Sequence, residues 1–557
     1  MWQQVYTPVA DSLFLSTLAA SIPIILLLIL LGVLRKPAWM AGLAGLAAAI
    51  MVALFVYQMP VVPMLSSVAM GAAFGLFPIC WIVFWAIILY RITLDTGRFE
   101  ILKDSIGSLS DDRRMQALLI AFAFGAFIEG AAGFGTPVAV AAGMLAGLGF
   151  SPFYAAGICL LANTAPVAFG SIGIPVITLA RITGLPVEQL SAWVGAICAP
   201  VSLFVPCYLI AVMGGWKGLK GVLPAALACG ASFAGVQFLV SNYLGPQLVD
   251  ILSSVAAIAS MVLISWLWKP KDNFKFAGET TSVTTIKKHA GKEVFMAWLP
   301  YILLVIFVFV WGEDHIKVGD RSVKQILAAQ NVVVEWPGLY LDQKGPDGKA
   351  LPLVQRVQPV VKKAEAYKAE YLFNWLAASG TACMLSTFLT ALFFGIGPGR
   401  YLRIMGATFN QLSKSILTIS SVLGLAFLMN YCGATGTLGL AFAQTGPLFP
   451  FFSAIVGWLG VFLTGSDTSA NALFGSLQVV TAEKLGLDPV LMAASNSAGG
   501  VMGKMISLQS IAVAAAATGM KPEDESKLFR FTLRHSIILA SVIGLVVVVY
   551  SAWQGPR

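Results

Sequence analysis

Apolar residues in this chain come in runs of about twenty, without the strict alternation of a half-buried strand. Clear runs cover roughly 12–34, 38–58, 68–90, 193–213, 222–240, 250–268, 294–311, 372–395, 413–430 and 535–553. A helix of that length crosses a bilayer core of about 30 Å. Two further regions, 115–180 and 446–518, are apolar but interrupted by glycine, asparagine, serine and threonine. Together they predict an all-α polytopic membrane protein with about 12–14 membrane segments. A membrane β-barrel would show weak alternation instead of long runs.

Composition narrows the class further. Of 557 residues, 58% are hydrophobic and 11% are charged, against about 45–50% and about 25% in soluble domains. A water-soluble globule of this composition could not cover its surface, which excludes a soluble enzyme. The net charge of +9 lies between the apolar runs, so its expected partner is an anionic leaflet and no nucleic acid. Placing Arg35, Lys36, Arg91, Arg98, Lys103, Arg113, Arg114, Lys217, Lys220, the basic stretch 269–292, Arg400, Arg403, Lys414, Lys521, Lys527, Arg530 and Arg534 in the cytoplasm satisfies the positive-inside rule by one path. That path puts the N-terminus and the loop 241–249 outside. The basic stretch carries Lys275, Lys287 and Lys288 with Glu279. The start, MWQQVYTPVAD, has no basic segment before its first apolar run, so no cleavable signal peptide is expected.

Cys80, Cys159, Cys198, Cys207, Cys229, Cys383 and Cys432 all sit in apolar stretches without a CxxC, and read as small buried hydrophobes. His289, His315 and His535 fall in loops or at span ends, which argues against a haem or an embedded metal site. No cofactor is expected. HExxH, GxSxG, Walker and CxxCH patterns are absent, which argues against an enzyme or an ATP-driven pump.

The two interrupted regions resemble each other. The first reads GAFIEGAAGFGTPVAV at 125–140, GLGFSP at 147–152 and LLANTAPVAFGSIGIPV at 160–176. The second reads GVFLTGSDTSANALFG at 460–475, KLGLDP at 484–489 and AASNSAGGVMGKMIS at 493–507. Each has an apolar arm, a small-residue tip, a second arm, a Leu-Gly turn and a helix interrupted by asparagine. The charge-derived path gives them opposite orientations, as in inverted-topology repeats of secondary transporters. The expected organisation is N-terminal helices over 1–67, then repeat 1 over 68–240 with a re-entrant hairpin at 115–150 and a broken helix at 155–180. Linking helices and a basic loop follow over 241–311, and an extracytoplasmic polar loop over 312–371. Repeat 2 covers 372–557, with a hairpin at 446–483 and a broken helix at 489–518. Between Glu313 and Glu370 the polar loop carries nine basic and eight acidic residues, and reads as an inserted surface loop.

Irregular backbone inside a membrane is tolerated only where protein or a cavity supplies hydrogen bonds, so both tips and breaks are expected to meet at one site. Glu129 and Asp467 are acids within apolar sequence at matching tips. Desolvation disfavours their charged forms, which lets them take up and release a proton. Lys504, in the second broken helix, is positioned to attract an anionic carboxylate or to pair with Asp467. Gly130, Asn163, Thr164, Ser466, Thr468, Ser469, Asn471, Asn496 and Ser497 supply hydrogen bonds, helix termini and close approach for a substrate. Asn163–Thr164 and Asn496–Ser497 are expected to mark the paired helix breaks. Arg181 and Glu188, in RITGLPVEQL, read as solvated loop residues.

The strings EGAAGFGTPVA at 129–139, PFYAAGICLLANTAPVAFG at 152–170, GWLGVFLTGSDTSANALFGSLQ at 457–478 and GKMISLQSIA at 503–512 carry a resemblance to the L-lactate permease family. The resemblance implies a permease of the cell inner membrane that imports L-lactate, D-lactate or glycolate with a proton. By fold analogy it implies elevator-like motion. The expected partners are a small 2-hydroxy acid anion, H+ and the lipid bilayer, with oligomers possible. A passive anion channel and a Na+-coupled carboxylate transporter stay open as alternatives.

Overall fold

A computed structural model describes all residues except 35, 108, 111, 134, 273, 275–288, 313–315, 345–349, 362, 368 and 555–557. Arg35, Lys275, Glu279, Lys287, Lys288, Glu313 and His315 thus lie outside the described residues. Among the described residues, eleven helices are long and apolar enough to cross a membrane, or twelve with one bent pair counted.

Helices α1 (Leu13–Leu28) and α2 (Ala38–Phe55) precede α3 (Val61–Phe74) and α4 (Trp81–Asp95), which run on from each other through a break at Pro78. After α5 (Arg98–Gly107), α6 (Arg113–Gln116) continues through Ala117–Phe124 into α7 (Gly125–Ala131), and α8 (Thr136–Gly147) follows the tip. A broken helix comes next, α9 (Pro152–Ala162) and α10 (Gly170–Thr183), bent by 63°. Then come α11 (Val187–Tyr243), α12 (Val249–Leu267) and α13 (Gly291–Gly312). The polar insertion holds the short α14 (Val323–Ala328). The C-terminal half contains α15 (Ser379–Phe393), α16 (Pro398–Cys432), α17 (Ala434–Phe442), α18 (Phe449–Thr464), α19 (Asp467–Leu485), α20 (Pro489–Lys504), α21 (Leu508–Thr518) and α22 (Pro522–Gln554).

The runs at 193–213 and 222–240 belong to one 57-residue helix, α11. At about 1.5 Å per residue it is more than twice as long as a bilayer core is thick. It folds back at Gly215 (φ +62°) and Val222, beside Lys217 and Lys220. The Ser191 hydroxyl donates to the Ser241 carbonyl (2.8 Å), and a Cβ on Gly230 would stand 2.1 Å from the Leu203 carbonyl oxygen. The two halves are therefore antiparallel crossings, as the apolar pattern indicates. The run at 372–395 starts late, at Ser379, because Glu370–Phe373 is a strand paired with Val332–Glu335.

The polar insertion is more ordered than a surface loop. Its described part forms short strand pairs, and Val354–Gln355 also pairs in parallel with Trp2–Gln3. The Trp336 indole donates to the Ser66 carbonyl (3.0 Å), and the Tyr371 hydroxyl to that of Phe77 (2.8 Å). These bonds seat the insertion on α3 and the α3–α4 break as a cap.

Two groups of helices pack beneath it. In one, α16 packs on α2, α3 and α4, while α15 packs on α4 and α13. In the other, α18 packs on α19, α20 and α22; α11 packs on α12 and α20; and α7 packs on α8, α10 and α12. The arms and broken helices cross reciprocally: α10 lies on α19, and α21 lies on α8.

The α18–α20 crossing is close because it is lined by glycine. A Cβ on Gly457 would fall 1.8 Å from the Asn496 carbonyl oxygen, and one on Gly499 would fall 2.0 Å from that of Ala454. Neither backbone atom can rotate away, so an added methyl forces the helices apart. Gly457→Ala and Gly499→Ala should each destabilise the purified protein by about 1–3 kcal/mol, read as a lower melting temperature in detergent. Gly406→Ala in α16, which has open space around it, should leave the melting temperature unchanged or raise it.

Candidate functional site

Each tip owes its shape to glycine. Gly133 and Gly135, both at positive φ, turn the chain between α7 and α8. Gly465 (φ +71°) ends α18, and the Ser466 hydroxyl accepts from the Ser469 amide (3.3 Å) to cap α19. The first broken helix opens after Asn163, where Pro166 lacks an amide hydrogen. It resumes through Ser171 (φ +48°), Ile172 (φ +62°) and Gly173 (φ +73°). Left-handed backbone at a serine and a β-branched isoleucine is strained. Here it lies beside Glu129: the Ser171 hydroxyl donates to the Ala132 carbonyl (3.1 Å), and a Cβ on Gly170 would sit 2.6 Å from Glu129 Oε1.

These elements enclose a cavity of about 110 Å³ lined by Glu129, Ser171, Ser466, Asp467, Thr468, Ser469, Lys504 and Gln509. Ala38, Ser415 and Thr418 also line it, so it opens toward the end of the molecule bearing Lys36 and Lys414. Six of the residues singled out from sequence thus share one cavity. Ser171 and Gln509 were missed, although both lie within or next to the glycine-rich strings.

Asp467 is 3% exposed and begins α19, where the helix dipole favours an anion. Its Oδ2 accepts from the Ser497 hydroxyl (2.6 Å) and the Asn471 amide (3.3 Å), while Oδ1 is buried without a partner. Asn471 also donates to the Pro175 carbonyl of α10 (3.2 Å), which ties the second hairpin to the first broken helix. The Asn496 amide donates to Asn471 Oδ1 (2.9 Å), and Gln478 donates to Asn496 Oδ1 (3.0 Å) and to the Ser453 carbonyl (3.1 Å). Gln478, Ser453 and Ser495 complete this network and were not anticipated.

Lys504 is 8% exposed at the C-terminus of α20, the end of a helix that favours a cation. Its ammonium donates to the Gly465 carbonyl at the hairpin tip (2.6 Å). It stands within electrostatic reach of both Glu129 and Asp467, with no contact ion pair to either among the described residues. A contact pair with Asp467, one of the two roles open to Lys504 from sequence, is not formed; the ammonium bonds to backbone. Glu129 is 4% exposed, beside Asn163, with Oε2 unpartnered.

Four placements differ from the sequence reading. Asn496 and Ser497 lie mid-helix in α20, because α19 satisfies their side chains laterally and the backbone need not open. The second break falls at 505–507, where the Ser507 hydroxyl accepts from the Ser510 amide to cap α21 (3.2 Å). Gly130 faces away from the cavity, against Asp250 and Ile251 of α12. Thr164 spends its hydroxyl on the Leu161 carbonyl (2.8 Å). Arg181 is no simple loop residue: in the last turn of α10 it lines two outer cavities, of about 480 and 680 Å³, and Glu188 lines the larger.

A family model described as L-lactate permease matches residues 16–552. The chain is 45% identical over 554 residues to the L-lactate permease of Bacillus subtilis strain 168, covering 98% of this chain and 97% of that one. It is 42% identical over 554 residues to the L-lactate permease of Escherichia coli K12, and 42% identical over 557 residues to Glycolate permease GlcA of the same strain, with the same coverage. With its bilayer-length helices it is a multi-pass inner-membrane transporter and not an enzyme, and it belongs to the L-lactate permease family.

Proposed function

We propose that this chain imports small 2-hydroxymonocarboxylates, lactate and glycolate among them, by proton symport. One observation carries the reading: Glu129 and Asp467, from separate hairpins, lie in the reach of the same buried Lys504 on one small cavity. The cavity is lined by hydroxyls, two carboxyls and one ammonium, a set that suits a small acid carrying a hydroxyl. The substrates in the relatives' names, L-lactate and glycolate, are of that chemistry.

Charge balance supplies the mechanism. With the site empty, Lys504 can be balanced by an ionised acid. A substrate carboxylate that takes over Lys504 leaves that acid without its cation, in a medium where an unpaired charge is costly. The acid then takes up a proton. The loaded site is neutral, so its movement avoids the cost of about 2.3 kcal/mol per charge per 100 mV for carrying an anion inward. Ser466, Thr468 and Ser469 line the cavity, and in this reading their hydroxyls meet the substrate's own hydroxyl.

We read the hairpin and broken helix of each half as one of two inverted repeats, with the body around the tips moving as an elevator. The reciprocal packing of α10 on α19 and α21 on α8 supports this reading. Single cysteines at 150–152 and at 486–488 should label from opposite sides of the membrane. Labelling from the same side would end the inverted-repeat reading.

In proteoliposomes, an acid-outside pH step should drive uphill lactate accumulation, and a sodium gradient alone should not. Glu129→Gln or Asp467→Asn should lower that accumulation about tenfold or more. Full accumulation in both variants would refute coupling through these acids. Downhill flux without accumulation in the wild type would indicate a channel. Lys504→Ala should raise the lactate concentration for half-maximal uptake about tenfold, as loss of a charge-assisted contact does; unchanged kinetics would return Lys504 to a structural role.

A further inference from the structure

Asp250 opens the first turn of α12, is 1% exposed, and has no hydrogen-bond partner on either carboxyl oxygen. The site above makes no use of it. Across the helix contact stands Gly130, next in sequence to Glu129. A Cβ there would lie 2.7 Å from Asp250 Cβ, so the glycine is what allows α12 to bring Asp250 against the Glu129 turn. The two acids are close enough to repel each other, and Glu129 Oε2 is also unpartnered. From α11 the Cys198 thiol faces Asp250 within electrostatic range. The stretch Ala117–Phe124 has no ionisable side chain, and α10 has only Arg181, which lines the outer cavities. No cation balances Asp250 among the described residues.

The chain just before Asp250 forms a wall of the 680 Å³ outer cavity, through Leu244, Gly245, Pro246 and Gln247. Pro246 is pressed against α10, where a Cβ on Gly173 would fall 2.6 Å from its carbonyl oxygen. Ser253, one turn beyond Asp250 on the same face, has a buried hydroxyl without a partner. Asp250 therefore stands between the outer cavity and Glu129, whereas the 110 Å³ cavity opens toward the opposite end.

We propose that Asp250 relays protons between the outer cavity and Glu129, so that proton and hydroxy acid reach the site by different paths. The proposal rests on the proton-coupled reading above. An uncompensated carboxylate is costly in this position, so Asp250 holds its proton while Lys504 balances Glu129. When substrate takes over Lys504, Glu129 becomes the stronger base. The O–H bond of Asp250 then breaks as one forms on Glu129, through a bridging water that gives up one proton as it takes the other, and the Asp250 carboxylate regains a proton from a hydronium ion in the outer cavity, which is left as neutral water. No other bond changes.

The test compares wild type, Asp250→Asn and Asp250→Glu in proteoliposomes, by pH-driven net lactate uptake and by lactate counterflow at equal pH. If the wild type shows no pH-driven uptake, the proton-coupled reading itself fails, whatever Asp250 does. With wild-type coupling intact, Asp250→Asn should lower net uptake about a hundredfold and leave counterflow near the wild-type rate, because in exchange Glu129 keeps its proton while Asp467 balances Lys504 between one lactate and the next. Asp250→Glu, which keeps an acid, should recover part of the net uptake with a shifted pH profile. Wild-type net uptake in Asp250→Asn would overturn the relay, as would counterflow falling in step with net uptake. If Asp250→Asn does not reach the membrane, Asp250→Glu decides: an unchanged pH profile overturns the proposal.

Discussion

An ammonium group enclosed with two carboxyl groups, away from bulk water, cannot change its charge balance without a proton or another ion. Lys504, Glu129 and Asp467 line one cavity in this way, and the surrounding structure holds the lysine and Asp467 in place. Lys504 is held by the Gly465 carbonyl at a helix C-terminus, and Asp467 by Ser497 and Asn471 at a helix N-terminus. Both arrangements use helix ends to stabilise the sign of charge that each end favours. Gly500 and Gly170 leave room for the two acids: a Cβ on Gly500 would sit 2.3 Å from Asp467 Oδ1, and one on Gly170 2.6 Å from Glu129 Oε1.

The polar network behind Asp467 gives that constraint its rigidity. Asn471, Asn496, Gln478 and Ser453 connect α18, α19 and α20, and Asn471 reaches the Pro175 carbonyl of α10. One hydrogen bond thus joins the helix that follows the second tip to the broken helix of the first region. Strained residues Ser171 and Ile172 sit at that break, against Glu129. Strain there persists only because the packing around it is fully determined. On the outer side, the ordered insertion and the N-terminal strand close over cavities that carry Arg181.

Much of this was legible in the sequence because membrane burial makes polar residues conspicuous. Glu129, Asp467 and Lys504 stood out in apolar surroundings, and the structure brings all three to one cavity. The break at Asn496 was misplaced for a physical reason: its side chain accepts from Gln478 and donates to Asn471 on α19, so it bonds across the helix contact and does not compete for its own helix's backbone. Asp250 escaped notice because it opens an apolar run, where an acid reads as the edge of a loop. Whether it faces water or Gly130 depends on a helix contact that no local pattern encodes. The insertion beyond 312 read as a loop because its strands are short and one of them, Val354–Arg356, pairs with Trp2–Gln3, far away in sequence.

Counting protons during substrate binding tests the charge-balance account most directly. Titrating L-lactate into the purified protein near neutral pH, in buffers of different ionisation enthalpy, reports how many protons accompany each molecule bound. The account predicts uptake of about one proton per lactate. A binding heat that is independent of the buffer, and so a proton count of zero, would contradict it.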